Sequence, residues 1–190
     1  GFGFLYWRGL RDWRRRSRPV HWWQIASFYL GLVAIFAALV SPLDPLSDRL
    51  FLAHQVQHVL LRIVGPVLIL LGAPLTPVLR GLPHSVRMGL VRPIVSNPAA
   101  RAIYRWLNHP LWIPALFLLA LFVWQFPAAH DRALDNLWIH YAMHLSMTST
   151  SVLFWWLIID PKPHRSSLHY GVRILIMAAT ILPNTVLGAF

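Results

Sequence analysis

Ten histidines stand in this sequence against six carboxylates, all of them aspartate, and no cysteine. Four of the histidines form two pairs with the same spacing: His54 with His58 in LAHQVQHVLL, and His140 with His144 in HYAMHLSM. Four residues apart on an α-helix is just over one turn, about 6 Å of rise, so both imidazoles of a pair point to the same side. Neutral imidazole binds Cu, Zn, Fe or Ni, and a thioether adds preference for Cu(I). Met143 and Met147 flank the second pair, and His130 and Asp131 lie shortly before it. Thiolate metal sites, iron–sulfur clusters, disulfides and cysteine catalysis are excluded. HQVQH lacks the Glu that an HExxH metallopeptidase needs as its base. The competing cofactor is haem, which takes one axial His from each of two helices, as His58 with His144 or His54 with His140. The plain alternative for one pair is a hydrogen bond to a neighbouring helix, and for Met143 and Met147 it is packing.

The elements that carry these residues are apolar. Hydrophobic residues make up 57% of the 190, charged residues 12%, and mean hydropathy is +0.54. These values exclude an ordinary soluble domain and fit an all-α, polytopic bundle of transmembrane helices, read as a single domain over 1–190. About five spans are expected, at 22–41, 50–72, 110–126, 136–159 and 170–190, each near the length that crosses about 30 Å of hydrocarbon. Residues 1–7, GFGFLYW, read as the stub of another helix. The basic, proline-bearing stretch 75–109 reads as a loop, with part of SVRMGLVRPIV along the interface. Tryptophans collect at span ends (Trp22, Trp23, Trp106, Trp112, Trp124, Trp138), where interfacial belts form. The Gly-Phe-Gly start and the apolar end give the chain the look of a fragment.

Charge supplies direction. The net charge is +11, and no basic-plus-aromatic module accompanies it, so anionic lipid headgroups rather than nucleic acid are the expected partner. Lys and Arg number six in 8–18, one in 42–49, five in 75–109, one in 127–136 and three in 160–173. The positive-inside rule puts the first, third and fifth of these loops in the cytoplasm. The second and fourth spans then both start at the outer face, with His54 and His58 in one and His140 and His144 in the other, at matched depth. Two such pairs on parallel helices read as a site for a metal or cofactor in the outer half of the membrane. His130 and Asp131 lie above it as an entrance. Gln57, Arg62, Gln125 and Asn184 fall near enough to orient the imidazoles. Asn136 and Thr148 extend the polar stripe of the fourth span.

With these residues in place, the chain resembles the cytochrome c oxidase caa(3)-type assembly factor family, CtaG, in its multi-span form. The similar segments are SPLD (41–44), LAHQVQHVLL (52–61), GPVLILLGAP (65–74), WQFPAAHDRAL (124–134), HYAMHLSMTSTSVLFWWLIIDP (140–161) and TVLGA (185–189). The resemblance implies a bacterial plasma-membrane protein that is not an enzyme. It implies a helper in the maturation of haem–copper oxidases, with oxidase subunits as partners and copper as the metal handled. It places His54, His58, His140 and His144 on the family's histidine motifs. It also implies about seven spans, of which this chain supplies five and a stub. Two positions depart from the family pattern: Gln125 stands where His is common, and Met143 where Glu is common. The second change leaves Cu(I) chemistry in place and removes a group for proton-coupled work.

Overall fold

The structure is a computed structural model that describes residues 1–14, 20–41, 50–161 and 168–188; the side chains at 12–14, 51, 130 and 184–188 lie outside the description. The chain is helical, and no strand occurs among the described residues. In order, the helices are α1 (Phe2–Arg14), α2 (Trp22–Val40), α3 (51–71), α4 (Leu75–Gly81), α5 (84–96), α6 (Pro98–Leu107), α7 (Trp112–Gln125), α8 (Pro127–Asp135), α9 (Leu137–Ile159) and α10 (Tyr170–Gly188). Helix α3 is α-helical over Phe51–Val59, makes a π-helical turn over Leu60–Val64, and is α-helical again over Gly65–Leu71.

Among the described residues three helices are long and apolar enough to cross a membrane: Trp22–Val40, Leu52–Leu71 and Leu137–Ile159. A fourth span exists only if α6 and α7 are taken together across their 60° bend. This corrects the expectation of about five. Helix α7 has 14 residues, about 21 Å of helix at 1.5 Å per residue, short of a bilayer core. It is cut short by Pro110 before it and Pro127 after it. The last expected span is a shorter apolar helix over Tyr170–Pro183. Large apolar side chains such as Leu30, Phe36, Leu119 and Leu145 are exposed on the outside of the bundle, as a lipid-facing surface requires and a soluble one rarely shows.

The stretch expected as a loop is also helical. Proline at N1 of a helix costs nothing, since that N–H has no partner anyway. Pro98 opens α6 in this way, behind an Asn97 cap whose Oδ1 accepts from the Ala99 N–H at 2.8 Å. None of the residues of α5 or α6 is buried. The expected N-terminal stub is a 13-residue helix that packs on α4. Their backbones touch: a Cβ on Gly9 would strike the Pro77 carbonyl, and one on Gly81 the Leu5 carbonyl. Tyr6 is fully buried against Phe28, ring centroids 3.9 Å apart, and its hydroxyl donates to the Gly72 carbonyl at 3.0 Å.

The site elements pack side by side. Gly31 of α2 lets that helix press on α3, where a Cβ would come within 2.7 Å of the Ile69 nitrogen. Helix α9 packs on α3 and α7. Ile113 and Phe117 of α7 form a core with Phe154 and Leu157 of α9. Helix α9 ends at Asp160, in the left-handed region at φ 51, and Asp160 Oδ2 accepts from Arg173 Nη2 at 2.9 Å. This pair fixes α10 to the end of α9. Both side chains are only about a tenth exposed, 10% and 11%, so breaking the pair strands a charge and costs about 3 kcal/mol. Asp160→Ala is expected to lower thermal stability in detergent by that much. Asp160→Asn should lose less, because Asn tolerates the left-handed turn.

Candidate functional site

Helix α3 brings the first pair. His54 Nε2 and His58 Nε2 stand 2.6 Å apart, with ring centroids 4.3 Å apart. His54 is buried and His58 half-buried. One turn on, the helix loosens into its π turn for a reason legible in the chain. Pro66 has no N–H to return to the Arg62 carbonyl four residues back. Trp155 Nε1 of α9 donates to that carbonyl instead, at 2.8 Å. The Arg62 guanidinium is buried as well. Its Nη2 donates to the Phe117 carbonyl at 3.1 Å, and the group lies 4.4 Å from the Phe117 ring centroid. Arg62 thus joins α3, α7 and α9 beneath the histidines.

Helix α9 brings the second pair. Asn136 is its N-cap, with Oδ1 accepting from the Trp138 and Ile139 N–H groups at 2.9 and 3.3 Å. Asn136 thus caps the helix one turn before His140. His140 Nε2 and His144 Nε2 are 2.7 Å apart. The two helices adjoin and run parallel, since His58 meets α9 near His144 and Met147 while Arg62 meets it further along at Trp155. The rings of His58 and His144 have centroids 5.9 Å apart, and Met147 Sδ lies 3.0 Å from His58 Nδ1.

As they stand, the pairs are N–H···N hydrogen bonds. Two imidazole nitrogens on one tetrahedral ion at about 2.0 Å would be roughly 3.3 Å apart, so each pair must open by about 0.7 Å to take one. That is within reach of small side-chain rotations. Among the described residues no three His, Asp or Glu side chains already close on a common point. The four imidazoles thus stand as two hydrogen-bonded pairs that face each other, not as a finished cage.

The other expected residues divide. Met143 is buried in an apolar cluster with Leu121, Ala133 and Met147. Gln57 is fully buried, and its Nε2 donates to the Ala38 carbonyl of α2 at 2.8 Å, tying two spans together. Gln125 is exposed at the end of α7, and Asp131 is exposed on α8. The side chains of His130 and Asn184 lie outside the described residues, as do Asp44 and the rest of the loop at 42–49. Beyond the histidines, the hydroxyls of Ser149, Thr150 and Ser151 return to carbonyls of their own helix, so they do not continue a polar path. Sequence reasoning missed Trp155, and it expected Trp124 at a span end without naming its partner. Trp124 Nε1 donates to Ser146 Oγ at 3.0 Å and joins α7 to α9 beside the second pair. The signal for Trp155 was Pro66, which frees a carbonyl that some donor must satisfy.

Comparison with known proteins bears on what such a site serves. No solved structure matches the chain. Uncharacterised proteins of Mycobacterium bovis and Mycobacterium tuberculosis are each 29% identical over 187 residues, covering 93% of this chain and 27% of the relative. One from Mycobacterium leprae is 27% identical over 169 residues, covering 83% of this chain and 24% of the relative. The chain thus spans about a quarter of the length of these curated relatives. The model of the cytochrome c oxidase caa3 assembly factor family matches residues 4–190, and this membrane protein belongs to that family.

Proposed function

We propose that the protein takes up copper between α3 and α9, with His54, His58, His140 and His144 as its ligands, and passes it to cytochrome c oxidase during assembly. The observation that carries this is the facing of two His pairs on parallel helices, with the His58 and His144 rings 5.9 Å apart. Imidazole in a chain that has no cysteine suits copper, and a Cu(I) ion can be held by as few ligands as a pair supplies. Ligands that must open to bind and can close again on their own hydrogen bonds suit an ion held in transit. The protein's work is then delivery rather than catalysis.

In this reading the site lies in the outer half of the bacterial plasma membrane, with 8–18, 75–109 and 160–173 on the cytoplasmic side, which the alternation of loop charge supports. His130 and Asp131 on α8 form the entrance above it, and basic residues of α5 and α6 rest among anionic headgroups. The contact between Met147 and His58 favours an ion over haem, because a porphyrin would have to pass between helices that touch at that level.

A cell-based test follows. In bacteria whose own copy is replaced by the His58→Ala, His144→Ala double variant, the oxidase should assemble with its copper largely missing and its haem retained. Oxidase with full copper content in those cells, at normal levels of the variant protein, refutes the proposal.

A further inference from the structure

We infer that Arg62 biases the histidine site toward monovalent ions, by holding a permanent positive charge one turn beneath it. This rests on the copper reading for the identity of the ion, and on geometry alone for the charge. Arg62 lies inside the apolar helix Leu52–Leu71 and follows His58 by four residues, about 6 Å of rise. It is 7% exposed. Its Nη2 donates to the Phe117 carbonyl at 3.1 Å, and its guanidinium lies 4.4 Å from the Phe117 ring centroid. Trp155 of α9 holds the Arg62 carbonyl, so backbone and head group are both fixed. Nε has no hydrogen-bond partner among the described residues. No described carboxylate comes to it: Asp160 is paired with Arg173, and Asp131 and Asp135 are exposed on α8.

A charge inside a membrane span is expensive and calls for a use. Joining α3 to α7 does not require one, since a neutral amide such as Gln could donate to the same carbonyl. What arginine adds is a charge that no accessible pH removes. Its surroundings let that charge act at a distance. Phe117 stacks on Phe154, ring centroids 4.4 Å apart, and both are buried. Among such groups salt screens little. At a separation on the order of 10 Å and an effective ε of about 20, a fixed positive charge weakens cation binding roughly 10-fold per unit of cation charge. A monovalent ion meets that factor once and a divalent ion meets it twice. Imidazole makes no such choice by itself, since it suits Zn, Cu, Fe and Ni. Arg62 therefore supplies a selectivity that the four histidines lack.

The test uses Ag(I) and Zn(II), one monovalent and one divalent ion that imidazole binds without redox chemistry. The detergent-solubilised full chain is titrated with each ion against a chelator of known affinity. Only the binding lost in the His58→Ala, His144→Ala variant is counted. Arg62→Met keeps an unbranched stem and removes the charge; exchanging a buried charge for an apolar side chain of similar size is often neutral for stability. Arg62→Gln also removes the charge and keeps a donor for the Phe117 carbonyl, so it serves if the Met variant does not fold. Each should raise Ag(I) affinity roughly 10-fold and Zn(II) affinity by about the square of that gain, roughly 100-fold. Equal gains for the two ions, unchanged affinities, or a matched loss of both would show that Arg62 only joins helices, and overturn the inference. These outcomes leave the copper reading intact. If the squared relation holds but the oxidase in His58→Ala, His144→Ala cells keeps its copper, the copper reading fails and the charge selection stands. Wild-type protein whose histidines hold neither ion overturns both.

Discussion

His58→Ala and His144→Ala should each weaken Cu(I) binding by about 100-fold or more, a larger loss than the 10–100-fold that follows from removing a residue that only orients a ligand. These two histidines are the members of each pair that face each other, with ring centroids 5.9 Å apart. His54→Ala and His140→Ala should cost less, because each leaves its partner in place and the facing contact intact. The double variant His58→Ala, His144→Ala should lose little more than the worse single one, since groups that act as a unit are not additive. Competition with a chromophoric Cu(I) chelator on detergent-solubilised protein measures all four. Wild-type affinity in either facing variant would show that the imidazoles serve only to pack the helices.

Gly9→Val should be the most damaging single change to the fold away from the histidines. Helix α1 meets α4 backbone to backbone, and a Cβ at Gly9 strikes the Pro77 carbonyl while one at Gly81 strikes the Leu5 carbonyl. No rotamer relieves a clash made by the Cβ itself, so the helices must separate, at about 3 kcal/mol or more. Separation also breaks the bond from the Tyr6 hydroxyl to the Gly72 carbonyl and uncovers the stacked Tyr6 and Phe28 rings. Amide exchange should rise across α1 and α4 while the α3–α9 contact stays protected. Uniform protection in the variant would show that α1 does not dock as described. The expectation for copper is a sharp contrast: Gly9→Val should leave Cu(I) affinity near wild type.

What the sequence made legible follows the physics of each feature. The His pairs were legible because helical spacing alone puts His54 beside His58 and His140 beside His144, and the structure holds each pair within 2.7 Å. That α3 and α9 run parallel was legible from loop charge. The partner of His58 was not. Whether Met143 or Met147 reaches it depends on the rotation of α9 against α3, which no spacing along one chain determines. Met147 faces His58 while Met143 turns to Leu121 and Ala133. The number of spans was overestimated because apolar runs were measured in residues, and a run becomes a span only where one helix is continuous. Pro110 and Pro127 limit α7 to 14 residues. The stretch 75–109 was misread for the converse reason: its prolines were taken as breakers, yet Pro98 stands at the start of α6, where proline is favoured, and Pro93 lies within α5 just after its π-helical turn.

The central claim is that copper, and not haem, is what the four histidines hold. Metal analysis with an optical spectrum on one sample tests it most directly. The full-length protein, purified in detergent, loaded with Cu(I) under reducing conditions and freed of excess by gel filtration, should retain stoichiometric copper and show no Soret band. The His58→Ala, His144→Ala variant, treated alike, should elute without the metal. Wild-type protein that elutes without copper, or that carries an intense Soret band, contradicts the account.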